Sequence, residues 1–395
     1  MPQRSYSMWT CYFSQPLVQP PPHNLKVYMS AISTPAASAI TQGTLAALFD
    51  PGRNSLNGIR LFLAACVIVS HSWVIGNIGA EPEAGGKHLG EWAVLGFFAV
   101  SGYLITRSRL NGQPASSFFL ARFLRIYPGF IVCLLMVAFV FAPLSLLVGS
   151  PGSFTLVDSL TYVARNFLLY PPVVNQLNIG TTVPNTPVPG IWNGALWTLF
   201  WEAACYVGVG ILGCFGSRRL RVGFSAGAFG VATVTSLAVA EGYVPTNVLT
   251  MTSPLIAAFS AGALVYFFSN SIHIVPAVVV SVGVLVIALF TGTASVLAPM
   301  PAALVIMTLG SVLPFTRLGA KTDLSYGVYI YGVPVQNILE IGWPDLPVIA
   351  FILLSLLLTL PLAWASFRLI EAPAMRLRSK FYRRLPSRTS VPISS

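Results

Sequence analysis

The sequence predicts an all-α fold, a polytopic transmembrane helix bundle, on three observations. Hydrophobic residues make up 55% of the 395 residues and charged residues only 8%, with a mean hydropathy of +0.75. The apolar residues form runs that approach the roughly 20 residues needed to cross a bilayer. The few charges stand in short clusters between these runs. Because a water-soluble surface needs far more charge, a soluble globular protein is excluded.

Ten apolar segments are candidate spans, several of them interrupted by glycine or proline, which a bundle tolerates when neighbouring helices shield the backbone. They are 57–76, 92–108, 126–148, 193–215, 222–240, 252–268, 274–290, 297–315, 325–342 and 346–367. We therefore predict about ten spans.

The charges predict the orientation. With the N-terminus in the cytoplasm, every Lys and Arg lies on the cytoplasmic side except Lys87 and Arg165. Most of the acidic residues then fall in outer loops. Cytoplasmic loops are rich in Lys and Arg, so we predict that both termini are cytoplasmic in a multi-pass protein of the plasma (inner) membrane.

Three regions follow from composition. Residues 1–52 are rich in proline and small polar residues and lack the pattern of a signal peptide, so we predict a disordered cytoplasmic tail. Residues 53–378 form the membrane domain, and 379–395 form a basic cytoplasmic tail. The 149–192 stretch lies outside in this topology. Its first half has a helical apolar period that favours a helix along the membrane interface.

The net charge of +11 would also fit a nucleic-acid binder. The basic residues lie between apolar segments, which is typical of membrane topology, so we expect membrane lipids and no nucleic acid as partners. The five cysteines form no CxxC pair and no His/Cys group with metal-ligand spacing, so we expect no metal site.

The first span carries two ionisable residues, Arg60 and His71. They are eleven residues apart, which places them on one helix face about 16 Å apart along the axis. Arg60 at a helix end could simply reach the headgroups, and His71 could be a packing residue bonded to another helix. Alternatively, a cation at one end and a base at the other fit an extended thioester donor. His71 is the only histidine inside a predicted span.

Two further segments carry chemistry. Thr198, Glu202 and Tyr206 recur at every fourth position and form one polar stripe, and an intramembrane carboxylate indicates a functional site. Gly96 and Gly102 flank Ser101 in the second span and permit close backbone approach. Arg122 and Arg125 follow on the cytoplasmic side, where they could bind phosphates or only anchor the inner leaflet.

These stretches resemble the acyltransferase-3 family of integral membrane acyltransferases, which O-acylate surface carbohydrates and related acceptors. The matching elements are "NGIRLFLAACVIVSHSW", "FFAVSGYLI", "ARFLRIYPGF", "LWTLFWEAACY", "DLSYGVYIYGVPVQ" and "FRLIEAPAMRLR", in order between about 57 and 378. The sequence departs from many members at Gly332, where they have a histidine.

The resemblance implies a cytoplasmic acyl-CoA donor, most often acetyl-CoA, with no bound cofactor, and a carbohydrate or glycolipid acceptor. His71 would act as general base or accept the acyl group itself, and Glu202 would orient His71. The expected substrate-binding residues are Arg60, Arg122, Arg125, Ser101, Trp197, Tyr206 and Tyr326, with Ser101 or Tyr206 as oxyanion donors. A proton-coupled transporter or flippase of a glycan or small molecule is the alternative, because buried His, Glu and Arg also line such paths.

Overall fold

The structure, a computed structural model, describes residues 43–77, 79–112, 114–320 and 322–382. Most of the predicted N-terminal tail (1–42) and most of the predicted C-terminal tail (383–395) lie outside the described residues. Within the described part of the chain the secondary structure is almost entirely helical and contains no strand. The predicted all-α fold is therefore confirmed.

Eleven principal helices make up the described fold. They are α1 Leu56–Ile75, α2 Leu89–Leu110, α3 Ala115–Leu147, α4 Leu156–Asn166, α5 Gly194–Leu212, α6 Arg218–Ala240, α7 Thr250–Phe268, α8 Ile274–Thr291, α9 Pro299–Val312, α10 Ser325–Gly342 and α11 Val348–Leu377. Two four-residue helical turns, Leu45–Leu48 and Ala294–Leu297, accompany them, and the helix of α11 runs on to Tyr382.

All ten predicted spans are helices, and eight helices are long and apolar enough to cross a membrane. The other two predicted spans are α9, which has only 14 residues, and α10, which has 18 residues but carries buried Gln336, Asn337 and Glu340. These polar side chains are shielded by neighbouring helices, since α10 packs between α1 and α11. The chain is a polytopic membrane protein.

Helices α2 and α7 form the centre of the bundle and cross at two glycines. A Cβ atom added to Gly102 would lie 1.9 Å from the carbonyl oxygen of Phe259, and one added to Gly262 would lie 2.1 Å from that of Ala99. Backbone therefore touches backbone at this crossing, as small residues permit between membrane helices. The outer helices α6 and α8 instead expose apolar side chains, among them Val231 and Val279.

The end of the predicted N-terminal tail belongs to the folded domain. Leu45 is fully buried, and its backbone N–H donates to the carbonyl of Ile272, while that of Ala46 donates to Ser269. For residues 43–52 the predicted tail boundary is therefore wrong. The apolar segment Leu45–Leu48 is too short to cross a membrane, but it packs against the residues that follow α7.

Helix α4 lies beside α3. The hydroxyl of Ser159 donates to the carbonyl of Ala138, 3.0 Å away, and the ring of Phe167 packs 5.6 Å from that of Tyr127. Ser159 and Phe167 are eight residues apart, so α4 runs along α3 for about 12 Å. The segment predicted to be helical is a helix that packs against α3, and its position along the membrane interface stays a prediction. Ala138 lies in a π-helical turn, Val137–Phe141, which widens the helix where Ser159 contacts it.

The α2–α7 crossing predicts that Gly102→Ala is destabilising, because its methyl group would overlap the Phe259 carbonyl. We expect a loss of about 1–3 kcal/mol, the range for overpacking a tight contact. Thermal unfolding of the detergent-solubilised protein measures it. Gly230→Ala on α6 is the matched control, because a Cβ there meets nothing within 4 Å. Equal melting temperatures for the two variants would contradict the close crossing.

Candidate active site

Two cavities lie along the same face of α1. The first, the arginine cavity, has a volume of about 40 Å³ and is lined by Arg60, Glu202, Ser325 and Tyr326 among others. The second, the histidine cavity, measures about 260 Å³ and is lined by His71, Trp197 and residues that precede and begin α2. The two ionisable residues of α1 therefore each open into a cavity, which confirms that they share a face.

The two cavities share a wall made of Val94, Thr198 and Tyr329. The hydroxyls of Thr198 and Tyr329 are 2.7 Å apart, and that of Tyr329 also donates to the carbonyl of Ala195, 3.0 Å away. This hydrogen-bonded pair therefore lies between the arginine cavity and the histidine cavity.

An ion-pair cluster that includes Arg60 lies beside the arginine cavity. One carboxylate oxygen of Asp323, Oδ2, accepts from Arg60 Nη1 at 2.8 Å and from Arg125 Nη2 at 2.5 Å. The other amino group of Arg125 donates to Glu371 at 3.0 Å, and its guanidinium lies 5.9 Å from the centre of the Tyr326 ring. The cluster joins α1, α3, α11 and the segment that enters α10.

Asp323 is fixed from both sides. Its second oxygen, Oδ1, accepts from the backbone N–H and the hydroxyl of Ser325. Burial raises the pKa of Asp323, but the guanidinium groups of Arg60 and Arg125 outweigh this effect and lower the pKa to about 2. Asp323 is therefore ionised at any physiological pH, and it holds the two arginines side by side.

Glu202 is the centre of a second polar group. The hydroxyls of Ser101 and Tyr206 both donate to Glu202 Oε1, over 2.9 Å and 2.5 Å. The polar stripe of α5 therefore faces α2. Glu202 lines the arginine cavity, whereas His71 lines the other one, so the structure does not support the expectation that Glu202 orients His71. Nor are Ser101 and Tyr206 placed as free oxyanion donors, because both hydroxyls are engaged by Glu202.

His71 Nδ1 is buried without a hydrogen-bond partner. The side chain that precedes it on the chain, Ser70, is tied in place: its hydroxyl accepts from the backbone N–H of Gly90 at 2.8 Å and donates to Glu81. The histidine is thus held by α1 and its ring borders open space. His71 is therefore placed where its ring could contact a molecule bound in the histidine cavity.

The remaining predicted residues divide between the two ends. Trp197 lines the histidine cavity, and Tyr326 lines the arginine cavity, where its hydroxyl donates to the carbonyl of Ile126 at 2.7 Å. The charge of Arg122 acts on the Tyr206 hydroxyl, which places it near the Glu202 group. Arg125 lines neither cavity and acts through Asp323 and Glu371.

Sequence reasoning assigned no role to Asp323, Glu371 and Tyr329. Two of them are carboxylates beside spans, a signal that could have indicated an ion-pair cluster with the arginines. Glu371 ends a π-helical turn, Phe367–Glu371, and such turns often lie at functional sites. Among the described residues, no set of three His, Cys, Asp or Glu side chains is placed to hold a metal ion.

The comparisons with known proteins identify the family of this chain. A family model described as an acyltransferase domain matches residues 53–368, which include both cavities and three members of the ion-pair cluster, Arg60, Arg125 and Asp323. The chain belongs to the acyltransferase-3 family. It is therefore an acyltransferase, and family membership decides against the transporter alternative.

Two relatives of this acyltransferase are similar over most of their length. Nodulation protein 10 of Rhizobium leguminosarum bv. viciae is 27% identical over 380 residues, which cover 84% of this chain and 96% of that protein. An O-acetyl transferase of Shigella phage Sf6 is 26% identical over 343 residues, 80% of this chain and 95% of that protein. No solved structure matches. Family and relatives together identify an enzyme of O-acyl transfer.

The ion-pair cluster predicts that Asp323→Asn destabilises the protein, because it leaves two arginines close together without their shared counter-ion. We expect about 2–4 kcal/mol, somewhat below the cost of breaking a fully buried pair, because the side chains are 15–23% exposed. Thermal unfolding in detergent at pH 7 measures this change. Glu241→Gln, at an exposed carboxylate, is the control and is expected to unfold like the wild type. A wild-type melting temperature for Asp323→Asn would refute a structural role of the cluster.

Proposed function

We propose that this acyltransferase transfers an acetyl group from cytoplasmic acetyl-CoA to a hydroxyl of a carbohydrate or glycolipid acceptor at the far side of the membrane. One observation carries the proposal: Arg60 and His71 face two adjoining cavities along one helix, and these cavities share a wall made of Val94, Thr198 and Tyr329. A donor held at one end and an acceptor held at the other would meet at this point.

The donor half of the proposal rests on the cations at the arginine end. Arg60 borders the cavity directly, and its guanidinium presents a planar set of donors suited to phosphate. Asp323 occupies one of these donors, and the others are available to an anionic ligand. The arginine cavity has room for only a few water molecules, so a thioester arm would have to displace the side chains that line it. The name of the phage relative, an O-acetyl transferase, supports acetyl as the transferred group.

His71 would serve as the general base. Its ring would take the proton of the acceptor hydroxyl as the hydroxyl oxygen forms a bond to the thioester carbonyl carbon. The carbon–sulfur bond then breaks, the coenzyme leaves as a thiolate, and the protonated histidine returns the proton to the sulfur. The products are an acetyl ester and free coenzyme A. Nothing in this sequence of steps requires Glu202 to contact His71.

The location follows from the charges. An N-terminus in the cytoplasm places the ion-pair cluster at the cytoplasmic face, because the basic loops lie at that end of the bundle. His71 then lies towards the outer face of the plasma membrane. A cytoplasmic donor would in this way modify a lipid-linked or exported glycan.

The role of His71 predicts that His71→Ala abolishes acetylation. We expect ester-linked acetyl groups on the surface glycans of a deletion strain to be restored by the wild type and reduced at least about 100-fold by the variant, the lower range for loss of a general base. Nuclear magnetic resonance of the glycans measures them, at matched membrane levels. His273→Ala, at an exposed histidine, is the control and restores the ester. Full restoration by His71→Ala would make His71 a packing residue.

The donor site predicts stabilisation by ligand. Coenzyme A binds only the folded protein, so it should raise the melting temperature of the wild type by a few degrees at saturation. Arg60→Ala should lose this increase, and Arg53→Ala, at an exposed arginine, should keep it. The assay needs no acceptor. A proton-coupled transporter would show no stabilisation by coenzyme A in any of the three proteins.

A further inference from the structure

A short hairpin precedes α2 and covers the histidine cavity. Glu83 and His88 form an antiparallel bridge, and the backbone N–H of Ala84 donates to the carbonyl of Lys87 at 2.9 Å. The two residues between them, Gly85 and Gly86, have φ angles of +67° and +76°. Positive φ at both central positions is the signature of a type I′ turn, which glycine permits. The sequence "EAGGKH" thus encodes a fixed turn with Lys87 directly after it.

The tip of the hairpin packs against the end of α8 and the turn that follows it. The carbonyl of Gly85 accepts from the backbone N–H of Ala294 at 3.1 Å, and a Cβ on Gly86 would lie 2.8 Å from the carbonyl oxygen of Gly292. Trp92 of α2 donates from its indole to the carbonyl of Ala84 at 3.0 Å. At the base, Glu81 accepts from Ser70, next to His71. The hairpin is therefore held in place at its tip and at its base, and it forms part of the site.

Lys87 is the unusual residue of this hairpin. It is only 6% exposed and lines the histidine cavity, yet the structure gives its ammonium group one partner among the described residues, Glu91 at 3.3 Å. An ammonium group has three N–H donors, and burying a charge with most of its hydrogen bonds unmade is unfavourable. Lys87 lines the same cavity as His71.

The other groups around the cavity define the ligand that these donors fit. Two carboxylates, Glu81 and Glu91, line it with Lys87 and His88. Each carboxylate faces a basic group, Glu91 the Lys87 ammonium at 3.3 Å and Glu81 the His88 ring at 3.7 Å, so the cavity has no surplus of positive charge with which to bind an anionic sugar. Carboxylates accept hydrogen bonds from hydroxyls, and Lys87 donates to hydroxyl or ring oxygens. Trp197 adds an aromatic side chain of the kind that packs against a sugar ring. The combination suits an uncharged polyhydroxylated ring.

We propose that the histidine cavity is the acceptor site, that it takes a neutral sugar unit, and that Lys87 binds this unit by donating to its oxygens. The inference rests on the proposed function. It adds where the acceptor binds, which class of acceptor binds there, and a residue that determines the affinity of the enzyme for that acceptor. The hairpin turn holds Lys87 at the rim of the cavity, so that a bound sugar would present a hydroxyl to His71. No step of the chemistry passes through the lysine.

Lys87→Met tests the inference in the full-length protein reconstituted in lipid nanodiscs. The donor is radiolabelled acetyl-CoA, and the acceptor probe is the surface polysaccharide of the host strain after removal of its esters with mild base. We expect Lys87→Met to raise the KM for the polysaccharide at least about tenfold. The KM for acetyl-CoA and the slow hydrolysis of acetyl-CoA without acceptor should stay at wild-type values, which also shows that the variant is folded.

Two further variants complete the test. Lys87→Gln keeps N–H donors and should recover part of the affinity for the polysaccharide, and Arg165→Met, at an exposed basic residue, should match the wild type. An unchanged acceptor KM in Lys87→Met, or a parallel loss of acetyl-CoA hydrolysis, would overturn the acceptor site while leaving the proposed function intact. Failure of the wild type to transfer acetyl to any glycan would instead overturn the proposed function and this inference with it.

Discussion

A single carboxylate, Asp323, holds the site together. Its two oxygens bind Arg60 of α1, Arg125 of α3 and Ser325 at the start of α10. Arg125 also forms an ion pair with Glu371 of α11. Charges inside a membrane protein are unfavourable unless they pair, so none of these helices can shift without exposing an unpaired charge. The cluster therefore fixes where α1 lies, and α1 carries both Arg60 and His71.

From that fixed point the rest of the site follows. Because α1 is one continuous helix from Leu56 to Ile75, the eleven residues between Arg60 and His71 set the distance of His71 from the cluster, and His71 lines a separate cavity. Helix α10 supplies Tyr326 to one cavity and Tyr329 to the wall between the two, and α5 supplies Thr198 and Glu202 in the same way. Four helices, α1, α2, α5 and α10, thus line both the arginine cavity and the histidine cavity.

Around the site, the central helices pack tightly against each other and the outer helices contact lipid. Helices α2 and α7 touch through their backbones, so neither helix can slide past the other. Helices α6 and α8 instead expose valine and leucine side chains to the bilayer. The Lys87 hairpin and helix α4 are the elements that pack back onto the bundle, one against α8 and the other against α3. Both are anchored through backbone carbonyls, so they are parts of the fold.

The sequence by itself determined the fold class and the first members of the site. Apolar runs of span length and the positions of Lys and Arg are local properties, and all ten predicted segments are helices in the structure. The same-face placement of Arg60 and His71 follows from helical geometry alone. The resemblance named the family that the comparisons then showed. By contrast, the short helix at Leu45 and the course of α4 depend on which neighbours they pack against, and a pattern along the chain does not contain that information.

Only the tertiary structure decided which charges pair. Asp323 is 263 residues from Arg60 and 198 from Arg125, and no spacing rule links such distant positions. The same holds for Glu202, which sequence reasoning placed with His71 and the structure places with Ser101 and Tyr206. In the sequence, Lys87 differed from other basic residues only because it fell on the outer side of the predicted topology, as Arg165 did. Its burial at the histidine cavity results from a glycine turn fixed against another helix, and that contact exists only in the folded bundle.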